Sequence, residues 1–208
     1  MPLESIKKTV ANLRAATHLP ISAKIRLGST LDEKNLISFC KMLEDEGIDL
    51  LTVHGRLQGE KFCRRPRWDW IGKVKQTVKV PVIANGGIFS VADAEKCLER
   101  SGADGLMIGR GAVCKPWLFA EIAKVVYLYD ITPEINLPEI YFRFIELLRE
   151  RFLPERRLGR LKQFTHYYSS NFTFGHHLAS GVQNSKTLEE AAETAMVFFN
   201  TTREHSHD

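Results

Sequence analysis

The stretch VPVIANGGIFSVADAE (residues 80–95) decides the fold. Val80, Val82, Ile83 and Ala84 read as a buried strand. The run then passes without a polar spacer into Asn85, Gly86 and Gly87, and Ser90 caps an amphipathic helix that begins just beyond. A strand that feeds a helix through a glycine turn is one βα unit. Three other apolar runs end alike: ISAKIRLG (21–28), DLLTVHGR (49–56) and DGLMIGRG (104–111). Helical patterns lie between and after them, over 32–47, 68–78, 90–102 and 115–127, the last opened by Pro116 in its first turn. Alternating strands and helices with apolar strands predict a parallel sheet covered by helices.

Beyond residue 130 the strands stop. The segments 137–152, 155–172 and 187–202 read as helices, and the proline-bearing stretch YDITPEINLP (129–138) separates the halves. The expected organisation is therefore α/β: a partial barrel over 1–130 followed by an all-helical domain over 131–208. Four βα units suit either a small doubly wound sheet or half of a (β/α)8 barrel. The strand ends favour the barrel, because that fold gathers its chemistry at the C-terminal ends of its strands, with a phosphate site at the last two loops. A whole barrel takes about 250 residues, so the expectation is the second half of a TIM barrel, with the first four units lying upstream of Met1.

Composition excludes several classes. No apolar run is long enough to span a membrane, and the start MPLESIKKTVANLR lacks the apolar core of a secretion signal. Cys40, Cys63, Cys97 and Cys114 form no Cys-x-x-Cys pair, which suits reduced thiols and a cytoplasmic location. Neither the His176–His177 pair nor the tail REHSHD has metal-ligand spacing, so no metal is expected. A formal net charge of +4 is compatible with a polyanionic partner.

The strand ends carry the chemistry. Asn85-Gly86-Gly87 and Gly109-Arg110 each place small residues before a helix, where backbone N–H groups and the helix dipole can hold a phosphate. The plain alternative is that these glycines only make tight turns. Lys24 and Arg26 alternate with Ala23 and Ile25, so the two cations share one face, as Thr52, His54 and Arg56 do on the next strand.

In AKIRLG, LLTVHGR, WDWIGKVKQTVKVPVIANGGI, ADAEKCLERSGADGLMIGRGAVCKPWLF and the later FTHYY, in that order, the chain resembles the tRNA-dihydrouridine synthase family over essentially its whole length. The resemblance implies an FMN-binding barrel and a helical domain that helps to hold tRNA. It implies reduction of the C5=C6 bond of uridine to 5,6-dihydrouridine, with NADPH reducing the flavin, the flavin giving hydride to C6 and a cysteine giving a proton to C5. By motif, Lys24 lies near the flavin ring, His54 contacts the flavin or its phosphate, and Asn85, Gly86, Gly87, Gly109 and Arg110 form the phosphate-binding ends. Arg26 and Arg56 face either phosphate or the substrate uridine.

Two departures stand out. The family carries an acidic or polar residue where this chain has Gly87. Its proton-donating cysteine belongs upstream of the lysine strand, and none of the four cysteines here matches it. Cys63, set among Lys61, Arg64, Arg65 and Arg67, does not correspond in position. No catalytic residue is therefore assigned, and the chain alone is expected to be inactive.

The Arg-rich stretch RERFLPERRLGRLKQFTHYY (149–168) offers Arg156, Arg157, Arg160 and Lys162 for RNA phosphates. Its aromatics Phe164, Tyr167 and Tyr168 have helical spacing that suits inward packing. Two other functions fit the same sequence: an FMN barrel reductase acting on a small molecule such as a dihydropyrimidine, and a non-catalytic RNA-binding fragment. The oligomeric state is not legible.

Overall fold

A computed structural model describes residues 3–204, and the histidines of the C-terminal tail, His205 and His207, lie outside them. The chain divides into two compact units between Gly109 and Arg110, earlier than the break expected near residue 130. The reason is local. Val113 and Trp117 pack against the core of the helical unit, and Asn171 Nδ2 donates to the carbonyl of Cys114.

The first unit runs α1 (Leu3–Ala16), β1 (Ser22–Arg26), α2 (Glu33–Asp45), β2 (Leu50–His54), α3 (Trp68–Lys75), β3 (Val82–Asn85), α4 (Val91–Ser101) and β4 (Gly105–Met107). The four strands are parallel and pair in the order β1-β2-β3-β4. Among the described strands that order never reverses and shows no doubly wound switch point, and the sheet is the singly wound kind from which barrels are closed. The expected βα organisation is what the structure shows. The helix α1 was not legible as such.

Helix caps follow the sequence. Asp32 accepts from Asn35 N at the start of α2, and Ser90 from Asp93 N at the start of α4. Gly102 ends α4 at φ +57°, a left-handed conformation that glycine adopts without cost.

Register assigns the faces. Ala23, Leu51 and Val82 form one row, and Ile25, Val53, Ala84 and Leu106 the next. Leu51, Val53, Val82 and Ala84 have no exposure, and Leu36, Cys40, Leu43, Ile71, Val74, Ala94 and Cys97 of the helices are buried with them. Removal from water pushes the Cys40 and Cys97 thiols up to about 12, so both remain protonated packing residues. The opposite face holds two other rows, Lys24–Thr52–Ile83–Gly105 and Arg26–His54–Asn85–Met107. Lys24 and Met107 are exposed there.

The strand starts are latched by carboxylates. Asp49 Oδ2 accepts from Ile21 N, Glu44 Oε1 from Lys79 N and Val80 N, and Asp104 Oδ2 from Val82 N. The backbone N–H of Ile21 holds the Asp49 carboxyl below its ordinary range, and the Lys75 ammonium does the same for Asp104.

The second unit comprises α5 (Arg110–Cys114), α6 (Leu118–Val126), α7 (Leu137–Arg151), α8 (Pro154–Tyr168), α9 (Gly175–Asn184) and α10 (Leu188–Glu204). Pro116 precedes α6 rather than opening it, and the short α5 fills the turn before it. The core is aromatic. Phe164 stacks on Phe144 at 4.0 Å and on Tyr168 at 4.8 Å, and Tyr141 meets Phe164, Tyr168 and Phe199. Thr165 Oγ1 donates to the Leu161 carbonyl, so the fully buried Tyr141 hydroxyl donates to Thr165 Oγ1 at 2.6 Å. Tyr168 Oη donates to the Leu137 carbonyl. Phe164 and Tyr168 thus serve packing, as their spacing suggested. The helix α9 went unread because GHHLASGVQN carries two glycines and no charge. A Cβ on Gly175 would sit 1.8 Å from the Ser169 carbonyl oxygen, so the close approach at the start of α9 requires glycine.

Candidate functional site

The C-terminal ends of β1, β2 and β3 bring Arg26, His54 and Asn85 into one row, with Lys24 one step below Arg26 on the same face. These are sequence-selected residues, and the parallel register aligns them. Lys24 remains largely exposed, yet its ammonium lies below its ordinary value, first through partial desolvation and then through the Arg26 guanidinium. Two like charges two residues apart on an open face oppose each other, and an anion between them relieves both.

His54 and Arg56 are buried, at 6% and 2% exposure. Arg56 turns back from the end of β2. Its Nη1 lies 3.0 Å from His54 Nε2, its Nη2 donates to the carbonyls of Arg64 at 2.6 Å and Phe62 at 3.2 Å, and its Nε donates to the Arg64 carbonyl at 3.1 Å. Arg56 is thereby a clamp on the loop over residues 57–67. Asn85 Nδ2 donates to the Met107 carbonyl and ties β3 to β4.

The glycines that prompted a phosphate reading have causes within the chain. Gly86 has φ +111°, and a Cβ there would meet His54 Cδ2 at 2.7 Å, His54 Nε2 at 2.9 Å and Arg56 Nη1 at 3.0 Å. Gly87 has φ +73°, and its Cβ would meet Pro66. The Gly86 carbonyl accepts from Trp68 Nε1 at the start of α3. At Gly109 an added Cβ would meet nothing, so that end is open. Arg110 belongs to the second unit, as the first residue of α5.

Two residues were missed. Phe62 is half exposed but stacks on His54 at 6.3 Å with rings 18° apart, and Arg26 and Arg56 hold their guanidinium carbons 5.7 and 5.9 Å from its centroid. Glu60 accepts twice from Arg67, at 2.7 and 3.0 Å, and from Leu57 N at 2.9 Å. The Arg67 pair holds the Glu60 carboxyl down at about 2. Glu60 is the single carboxylate between Gly55 and Trp68, among five cations, and that isolation was the available signal. Cys63 is exposed in the same loop.

In the second unit, Arg157 donates to the carbonyls of Phe152 and Arg149 and so caps α7, while Arg160 lies 4.2 Å over the Phe152 ring. Arg156 is exposed and Lys162 half-buried. An open groove of about 620 Å³ in this unit, floored by Ile140, Phe144, Leu147 and Phe164, contains none of the sequence-selected site residues. Among the described residues no cluster of metal-ligating side chains occurs.

The family model for dihydrouridine synthase matches residues 3–199. The chain belongs to the dihydrouridine synthase family. Its βα units are therefore those of the family's TIM barrel. A probable tRNA-dihydrouridine synthase 1 from Synechocystis sp. is 48% identical over 119 residues, covering 57% of this chain and 33% of that protein. The tRNA-dihydrouridine synthase B of Pseudomonas aeruginosa is 37% identical over 138 residues, covering 66% of this chain and 42% of that protein. The chain thus matches less than half the length of these relatives. Among solved structures, a geranylgeranylglyceryl phosphate synthase from Thermoplasma acidophilum aligns with 58% of this chain and 53% of its own, at a TM-score of 0.40 and 20% identity.

Proposed function

We propose that this dihydrouridine synthase family chain supplies the cofactor-facing strands and a tRNA-facing helix of a cytoplasmic enzyme that reduces uridine in tRNA to 5,6-dihydrouridine, with FMN as cofactor and NADPH as reductant. The observation that carries the reading is the row Arg26–His54–Asn85, with the exposed Lys24 beside it, at the C-terminal ends of parallel strands. The donor set fits an anionic cofactor, because Lys24 and Arg26, two residues apart on one strand, put two cationic side chains on the same face. When bound, FMN supplies hydride-transfer chemistry that no side chain can supply.

The chain's own residues bind and orient. Lys24 offers a positive charge to the electron-rich edge of the flavin. Arg26, braced by the Leu57 carbonyl at 3.1 Å, supports that field. His54 contacts the cofactor from the next strand, and the Gly109 backbone presents an end without a side chain. Arg156, Arg160 and Lys162 of α8 offer charge to tRNA phosphates, and Arg157 supports them by capping α7. The proton donor to C5 is not among these residues, so the chain by itself is expected to bind rather than to turn over.

The test measures tRNA retention and dihydrouridine formation on one preparation supplied with FMN and NADPH. Salt-sensitive tRNA binding, weakened by Arg156→Glu together with Lys162→Glu, with little dihydrouridine formed, is the expected result. Failure to bind tRNA better than a neutral polymer contradicts the RNA assignment, and ready uridine reduction contradicts the expectation of an inactive chain.

A further inference from the structure

The geometry points to Arg56 as a positioning residue that fixes the tautomer of His54, with the imidazole proton on Nδ1 and the Nε2 lone pair committed to the guanidinium. Arg56 Nη1 lies 3.0 Å from His54 Nε2. A guanidinium has five N–H donors, no acceptor, and keeps its proton in proteins. A hydrogen bond between the two groups therefore has one polarity: Nη1–H donates and Nε2 accepts. An accepting Nε2 carries no proton, so in the neutral ring the proton sits on Nδ1.

The surroundings hold the pair in this geometry from three sides. Arg56 cannot swing away without leaving the carbonyls of Phe62 and Arg64. The Phe62 ring lies nearly parallel to the imidazole. Gly86 approaches so closely that a Cβ would fall within 3.0 Å of both partners. The register that sets His54 opposite Arg26 and Asn85 holds the ring's backbone. Sequence reading gave Arg56 to phosphate or substrate, but its burial and its partners direct it to His54.

The consequence concerns chemistry at this strand end. Nε2 can neither donate a proton nor accept from an imide N–H while Arg56 holds it. Of the two ring nitrogens only Nδ1 then carries a proton, and His54 is excluded as a general acid through Nε2. This consequence rests on the cofactor reading above, but the tautomer does not, so the two fail separately.

The test is long-range 1H–15N correlation of the 15N-histidine-labelled chain without cofactor, at about pH 8, above the ordinary imidazole pKa of about 6.5. His54→Gln assigns the signal. The expected spectrum has a pyrrole-type Nδ1 and a pyridine-type Nε2, retained in Arg56→Lys, which keeps a cationic donor, and replaced by a mixture or by the Nε2–H form in Arg56→Met. A protonated Nε2 in the unsubstituted chain overturns the proposal, as does an unchanged, pure Nδ1–H signal in Arg56→Met. If Arg56→Met fails to fold, the unsubstituted chain and Arg56→Lys decide alone. An FMN titration of the same samples reports on the cofactor reading independently.

Discussion

The two ends of one four-stranded sheet are built from opposite charges. At the strand starts, Asp49, Glu44 and Asp104 accept backbone N–H groups and, for Asp49 and Asp104, also pair with Arg14 and Lys75. At the strand finishes stand Lys24, Arg26, His54 and Arg56, and of these only the last two are buried. Each of these carboxylates has a partner within the fold, and that end contributes stability. At the second end Lys24 and Arg26 oppose each other on an open face. The division sets carboxylates satisfied by backbone against a pair of like charges, Lys24 and Arg26, on which the proposed ligand site rests.

The comparison breaks hardest at Gly86. Gly86→Ala forces a side chain onto His54 and Arg56 at a positive φ, and strain of this kind costs about 1–3 kcal/mol. Gly102 also has a positive φ, but a Cβ there would meet nothing, so Gly102→Ala is expected to cost only the left-handed backbone penalty of about 1 kcal/mol. Urea unfolding of the two variants checks the order, and equal losses would show that the His54–Arg56 contact is not what Gly86 protects.

Next in size is Asp104→Asn. Replacing the carboxylate weakens the bonds from Val82 N and Lys75, about 1 kcal/mol for a partly exposed acceptor, with FMN binding unchanged. A loss of FMN affinity in this variant would blur the distinction between the ends.

Acid then acts on the loop over the site. Glu60 has a folded value near 2, held there first by Arg67, against about 4.3 for a free glutamate. A lowered folded pKa stabilises the fold above the unfolded value and is lost as the pH falls through the folded one. Stability attributable to Glu60 should therefore be intact above about pH 4.3 and decline towards pH 2. Glu60→Gln should flatten that part of a pH-dependent unfolding curve, and an unaltered curve would leave the ion pair without thermodynamic weight.

Much of this was legible in the sequence for a physical reason. Strand–helix alternation and caps such as Asp32 and Ser90 are local signals, so the βα units and their order could be read directly. The shared faces of Lys24 with Arg26 and of His54 with Thr52 were legible because strand periodicity assigns them, and Asn85 was legible as a polar residue at a strand end. The partners were not. That Arg56 turns back onto His54, that Phe62 covers the imidazole and that Glu60 pairs with Arg67 and the Leu57 N–H all depend on how one loop returns to the sheet, and such loop geometry has no period. Gly86 was noticed for the right reason, a close approach, but the approaching groups are His54 and Arg56. The break after Gly109 lies earlier than the one expected near residue 130, because Val113 and Trp117 look like the end of a βα unit and pack as part of the helical core.

The smallest effect on stability is expected from Lys24→Met, under about 0.5 kcal/mol for an exposed side chain, and this variant carries the most direct test. Titration of FMN fluorescence with the unsubstituted chain, Lys24→Met and Asp104→Asn should give saturable quenching for the first. Affinity should fall about tenfold for Lys24→Met, which corresponds to about 1.4 kcal/mol for one charged contact, and be unchanged for Asp104→Asn. Absence of saturable quenching, or an affinity indifferent to Lys24, would contradict the assignment of the flavin to the open face at the strand finishes.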